Sequence, residues 1–460
     1  MLISGGSITT PGGLVRADVL VRDGRIAAVG ADLDAQGHDI VDAQDLWLLP
    51  GAVDAHTHFG MPLGPGLTSL GWRESAGAAL LGGTTTVIDF ANPAAGDTLG
   101  QAFANWRAMA DGTILCDYGL HVTVTDTSVE RLAEIPGLVA RGVATFKGFL
   151  AYKNRLMLTV AQMRDLMVAV RKSGAMLLVH AEDGEMNAAA EALLLETGRS
   201  GPEWHPVAHP RESEEKAVRA VLDLARETGC PLTIVHMSMA ECVDMLTAAR
   251  RQRPATGAAS VLIGEACLHH LFRDEGLYAG GYEAALAAIC SPPLRRPADG
   301  QALLAALGDG RLDLLSTDHC EFCLATKAEA AHAGFAKVPN GCGSVAERLV
   351  VSHTLAVVPG LLTPHRWVEV CCRRPAELMG LGDRKGRLAV GCDADLVLFD
   401  PRPQYRWEPR GGSDRAGSLW AGMPVQGRVR DVWLRGHRVV ADGRLAPDQP
   451  GGIFLPRHIG

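Results

Sequence analysis

The chain has no dense run of lysine and arginine, and 44 basic side chains face 52 acidic ones for a formal net charge of −8. Nucleic acid needs a concentrated basic face to neutralise its phosphates, so it is excluded as an expected partner. An uninterrupted apolar stretch of about eighteen residues is also missing, and with it the expectation of a membrane span. The start, Met1-Leu2-Ile3-Ser4-Gly5, has neither a charged leader nor a long apolar stretch, so no signal peptide is expected. Without an export signal, the 11 cysteines read as reduced thiols in a cytoplasmic enzyme. Cys320 and Cys323 form a Cys-x-x-Cys pair but lack a second pair at zinc-finger spacing, and no disulfide is expected there. No low-complexity tract and no phosphate-binding glycine loop stands out.

What is present is an alternation of short β-branched or apolar runs with amphipathic stretches. The runs are residues 52–58, 84–90, 118–125, 144–150, 175–182, 231–238, 259–267 and 312–319. Residues 211–228 show the helical pattern between them, with Ala217, Val218, Ala220, Val221, Leu224 and Ala225 on one stripe. Eight such units predict a closed (β/α)8 TIM barrel over residues 51–387. With 460 residues the chain exceeds what a barrel needs. The two ends, 1–50 and 388–460, are both rich in short strands with turns such as Asp23-Gly24. Together they predict a smaller β-sandwich domain.

The barrel assigns meaning to the polar residues that close apolar runs, because a barrel's active site lies at the C-terminal ends of its strands. The first run ends in His56 and His58, two residues apart and so on one face of a strand. Lys147 lies in the fourth run, His180 ends the fifth, His236 the sixth, and Asp318 the eighth, with His319 beside it. Singly, each has a plain structural role open to it: a rim histidine, a helix-capping Asp318, a snorkelling Lys147. Jointly, they fall at equivalent ends of different strands, which a metal site explains.

Imidazole and carboxylate suit zinc, with manganese, cobalt or iron also compatible. Four histidines and an aspartate exceed what one catalytic ion needs, so two divalent metal ions are expected. Burial and nearby cations depress an amine's pKa, which would leave Lys147 nucleophilic enough to add CO2 and supply a bridging carbamate. Water held between two such ions ionises near neutral pH, and Asp318 can accept its proton and pass it to a leaving nitrogen. The implied chemistry is hydrolysis of an amide-like bond.

At this point the chain resembles the cyclic amidohydrolases of the dihydropyrimidinase and hydantoinase group. The resemblance runs almost end to end. It rests on Pro50-Gly51, His56-Thr57-His58, Gly82-Gly83-Thr84-Thr85-Thr86, Phe146-Lys147, Ala151-Tyr152-Lys153, Val179-His180-Ala181-Glu182, His236-Met237-Ser238, Gly264-Glu265, Cys290-Ser291-Pro292-Pro293-Leu294-Arg295, Ser316-Thr317-Asp318-His319, Pro339-Asn340-Gly341 and Phe454-Leu455-Pro456-Arg457. It implies that His56, His58 and Asp318 hold one metal and His180 and His236 the other, with Lys147 as the carboxylated bridge. Tyr152 would polarise the substrate carbonyl, and Ser291 and Asn340 would hydrogen-bond the cyclic amide. The implied activity opens a dihydropyrimidine or 5-substituted hydantoin to an N-carbamoyl amino acid, in a homodimer or homotetramer.

Three segments depart from the group: Gly264-Glu265-Ala266-Cys267-Leu268-His269-His270-Leu271, Cys320-Glu321-Phe322-Cys323, and the first loop from Phe59 to Trp72. All bear on substrate identity. No arginine follows His56-Thr57-His58, which disfavours dihydroorotate. An allantoinase-like or cyclic-imide hydrolase remains an alternative. So does a non-catalytic scaffold of the same fold, although such relatives have lost metal ligands while all six positions are filled here.

Overall fold

The computed structural model describes residues 1–64, 67–252 and 261–459. Eight strands form one sheet in sequence order: Ala52–Thr57, Thr84–Ala91, Asp117–Thr123, Thr145–Phe149, Met176–His180, Leu232–Ile234, Leu262–Cys267 and Leu314–Ser316. Every neighbouring pair is parallel. The sheet closes where Thr57 bridges His319 in parallel and the His58 amide donates to the His319 carbonyl at 2.8 Å. The result is the expected (β/α)8 barrel. The start of the seventh expected run, Ala259 and Ser260, lies outside the described residues.

All residues of these strands are buried, as a parallel sheet covered on both faces requires. Helices supply the outer cover. Arg211–Thr228 turns Ala217, Val218, Val221, Leu224 and Ala225 inward and stops at Gly229, whose φ of 71° is the left-handed end a glycine takes without strain.

A second sheet of nine strands joins the two chain ends. Its main path runs Arg444–Leu445, His437–Ala441, Pro424–Leu434, Leu396–Arg406, Trp47–Pro50, Leu2–Thr10, Gly13–Arg22 and Arg25–Gly30, with Ile40–Asp42 on a branch. The Ile26 amide donates to the Cys392 carbonyl, so one edge of this sheet curls back towards the other end of the chain. Ile3, Val19, Val21, Ile26 and Leu48 pack there against Leu396, Leu398 and Trp433 in a core separate from the barrel's. The last described residues return to the barrel: Phe454 bridges Tyr118, and Leu455 packs with Val53, Met176, Ile263 and Leu314. Among the described residues, no helix is long and apolar enough to cross a membrane.

The seam between the eighth and first strands carries few ladder bonds and is reinforced by one buried arginine. Arg348 Nη1 donates to the carbonyls of Val53 at 2.8 Å and Leu315 at 3.1 Å, and Nη2 donates to Thr84 Oγ1 at 3.1 Å. Its side chain is wholly buried, with Asp54 3.9 Å away. Arg348→Met leaves those acceptors and the Asp54 carboxylate without their cation. We expect it to lower stability by about 3 kcal/mol, read as a reduced urea midpoint at unchanged slope.

Candidate metal centre

The first strand delivers His56 and His58 to the mouth of the barrel two residues apart. His56 Nε2 lies 3.0 Å and His58 Nε2 3.1 Å from the same oxygen, Asp318 Oδ1. Asp318 stands just beyond the eighth strand with φ of 49°, and His236 just beyond the sixth with φ of 39°. Both are left-handed positions that cost a non-glycine residue energy and turn its side chain away from the ordinary strand direction.

A carboxylate stands behind His56: Glu265 Oε1 is 2.8 Å from Nδ1 and also accepts the His236 amide at 3.0 Å, while Ser316 Oγ donates to Oε2 at 3.0 Å. Nδ1 therefore carries a proton towards Glu265, and Nε2 faces Asp318. On the far side, His180 Nε2 lies 2.7 Å from Glu182, which also meets His209 Nδ1 at 2.8 Å. The rings of His180 and His236 are 4.5 Å apart and those of His56 and His236 5.5 Å. Donor atoms of His56, His236 and Asp318 all lie within 4.8 Å of one another. Lys147 Nζ sits 5.0 Å from the ring centre of Phe90 and 5.1 Å from that of Phe149, and the Phe90 ring in turn packs on His56 and His58.

The electrostatics divide the histidines. Burial opposes charge on His56, but Asp318 and Glu265 outweigh it and raise its pKa to about 9. Burial dominates at His58, His180 and His236 and lowers all three. It also brings the Lys147 ammonium down to about 8. Although burial works the other way, His56 and His58 hold the Asp318 carboxyl well below the usual carboxylate range.

These residues fit a divalent ion. Two imidazole nitrogens converge on one carboxylate oxygen, and with the far nitrogen of His56 committed to Glu265, only a proton or a cation can make that contact attractive. His58 Nδ1 and His236 Nδ1 are buried without hydrogen-bond partners among the described residues.

Beside His180, at 5.1 Å between rings, stands Tyr152, itself at φ of 64°. Its hydroxyl hydrogen-bonds with Asn340 and Ser291, and burial pushes its phenol well up. Asn340 Nδ2 donates to Ser291 Oγ at 2.9 Å. The three expected substrate-binding residues thus form one polar cluster at the edge of the histidine group.

A family model described as "Amidohydrolase family" matches residues 47–439. A D-hydantoinase of Streptomyces coelicolor is 33% identical, covering 99% of this chain and 97% of its own length. The chain belongs to the amidohydrolase family, in its hydantoinase and dihydropyrimidinase group. A dihydropyrimidinase of Dictyostelium discoideum is 32% identical over 99% of the chain and 90% of its own length. The solved structure of a D-hydantoinase from Bacillus sp. AR9 superposes with a TM-score of 0.94 at 30% identity, covering 100% of this chain and 99% of that one. The protein is accordingly a cyclic amidohydrolase.

Sequence reasoning placed the amidohydrolase's inner residues and passed over those behind them. Glu265 and Glu182 were noted only as motif letters, and Phe90 and His209 not at all. A lone glutamate inside an apolar strand, as in Leu262–Cys267, is the signal that could have exposed Glu265, since buried carboxylates need partners. His319, a neighbour by sequence, is turned away. Its Nδ1 accepts the amides of Ser344 at 3.1 Å and Val345 at 3.3 Å. His121 bonds Thr145 Oγ1 and the Ala55 carbonyl inside the barrel. Among the described residues the cysteines form no disulfide; Cys320 is buried and Cys323 exposed.

Glu265→Gln keeps the shape but weakens the hold on His56. We expect divalent-ion retention to fall about 10- to 100-fold, measured by chelator competition followed by elemental analysis.

Proposed function

We propose that this amidohydrolase is metal-dependent and opens the ring amide of a dihydropyrimidine or 5-substituted hydantoin, giving the N-carbamoyl amino acid. The observation that carries this reading is the adjacency of two groups. A nitrogen and carboxylate cluster suited to divalent ions lies against a Tyr152, Ser291 and Asn340 cluster suited to a cyclic amide.

In this reading His56, His58 and Asp318 would hold one ion, His180 and His236 the other, and Lys147, as a carbamate formed with CO2, would supply the anionic group between them. Bound zinc, or manganese, cobalt or iron in its place, would supply Lewis acidity and bring the ionisation of water into the neutral range. Lys147 suits the carbamate because burial leaves an appreciable fraction of its amine unprotonated near pH 8.

Asp318 takes a proton from the attacking water and returns it to the ring nitrogen as the carbon–nitrogen bond breaks, so that water's oxygen ends in the new carboxylate. Tyr152 keeps its proton, because burial disfavours the phenolate, and donates to the carbonyl oxygen as negative charge gathers there. Ser291 and Asn340, which hydrogen-bond each other, would meet the amide edge of the substrate. A cytoplasmic homo-oligomer goes with this reading, on the strength of the resemblance.

Chelation should abolish turnover of dihydrouracil and phenylhydantoin, and zinc or manganese should restore it. Lys147→Ala should be inactive, with partial rescue by added short-chain carboxylic acids. Turnover of dihydroorotate alone in a panel with allantoin and succinimide would refute the substrate class. Tyr152→Phe should lower kcat about 100- to 1000-fold with little change in KM, read from steady-state kinetics on the best substrate of that panel.

A further inference from the structure

The helix Leu268–Phe272 follows the seventh barrel strand and carries two adjacent histidines. His269 and His270 are buried, with ring centres 4.3 Å apart. Facing them is Cys290, buried at the start of the segment that leads into Ser291. One donor atom from each of the three lies within 4.8 Å of the other two.

Neither ring nitrogen of His269 has a hydrogen-bond partner among the described residues, and neither has His270 Nδ1. His270 Nε2 lies 2.9 Å from the Pro292 carbonyl. A carbonyl only accepts, so Nε2 carries the ring proton and Nδ1 keeps a free lone pair. Buried imidazole nitrogens left unpaired are costly, and here three of them lie on adjacent residues beside a thiol. A bound cation would satisfy two of them, one from each ring.

We propose that His269, His270 and Cys290 form a second metal site for a zinc-class divalent ion, sharing no ligand with the centre at the strand ends. Two imidazoles and a thiolate are a zinc donor set and a poor one for magnesium or calcium, which take oxygen. The Pro292 carbonyl behind His270 fixes the ring's tautomer and direction, as outer partners of metal-bound histidines do. Cys290 Sγ now donates weakly to that same carbonyl at 3.4 Å. On binding, its sulfur–hydrogen bond breaks, the proton goes to solvent, and the sulfur electron pair forms the bond to the metal. Cys342 packs in the same buried cluster as Cys290 and is a further sulfur donor there. The nearby Lys327 ammonium does not compete for the site. It donates to the carbonyls of Leu286, Ala287, Ile289 and Gly341. The ion would pin the turn after the seventh strand to the segment that presents Ser291.

The test is spectroscopic. Chelator-stripped protein reconstituted with cobalt(II) should show a thiolate-to-cobalt charge-transfer band, which the nitrogen and oxygen ligands of the strand-end centre cannot give. Cys290→Ser should remove the band and one equivalent of tightly held metal, and His269→Gln should remove the same equivalent. His56→Asn should keep the band while losing metal from the other centre, so failure of this site and failure of the catalytic reading are told apart. Absence of the band in the reconstituted wild type overturns the proposal without any variant. So does a His269→Gln enzyme that keeps full metal content but has an altered KM, since His269 would then be a substrate contact.

Discussion

One carboxylate oxygen, Asp318 Oδ1, receives two buried imidazole nitrogens, and the upper half of the barrel is arranged so that this contact can exist. Removing charged groups from water costs several kcal/mol per charge, and His56 has a partner behind it. Glu265 backs His56, and Glu265 is itself held by Ser316 and the His236 amide. The contact also requires the eighth strand to meet the first. Asp54 accepts the Thr317 hydroxyl at 2.7 Å and its amide at 3.2 Å, across the seam that Arg348 clamps from outside. Barrel closure and centre assembly are therefore one event: strands that failed to close would leave His58 without Asp318.

The same arrangement gives chemically identical side chains different states. His56 lies between two carboxylates and is protonated up to about 9, whereas burial keeps His58 and His236 neutral. Neutral imidazoles are ready ligands. The charged one must give up its proton to become a ligand, and its contact with Asp318 marks where that proton and a cation compete. At His180 the carboxylate of Glu182 also meets His209, so its negative charge is shared between two rings.

Much of this could be read from the residues. The strand-end positions of His56, His58, Lys147 and His180 follow from apolar runs that close on a polar side chain. At the sixth and eighth strands the expected candidates lie elsewhere than at a strand end. The expected runs 231–238 and 312–319 shorten to Leu232–Ile234 and Leu314–Ser316. His236 and Asp318 lie past the strands in left-handed turns, which neither residue signals as a glycine would. The carboxylates behind the histidines were hidden because pairing across the barrel, as between His56 and Glu265, joins positions 209 apart in sequence. The mixing of the two chain ends was legible in their shared strand style. The return of Phe454 and Leu455 to the barrel was not, because a short apolar tail carries no period to read.

Strands and loops divide the labour. The candidate metal-binding residues stand at or just beyond barrel strands, whose backbone is fixed by ladders on both sides. Residues expected to meet the substrate stand on loops: Tyr152 in a left-handed turn after the fourth strand, Ser291 and Asn340 on separate segments joined by their side chains and by the Gly341 amide donating to the Ile289 carbonyl. The three departures from the group's sequence fall in the first loop, across the end of the seventh strand and the helix after it, and in the loop after the eighth. In the first loop Ser69 donates to the His58 carbonyl at 2.6 Å and accepts the Met61 amide at 2.8 Å, so that segment is tied to the backbone of a metal-ligand candidate. After the eighth strand Glu321 accepts Ser413 Oγ and the Asp414 amide, linking that loop to a segment between two strands of the other sheet. Variation there reshapes the pocket while the strand ends keep their register. Reaction type is accordingly the property these residues hold most firmly, and ring specificity the one they leave free to differ.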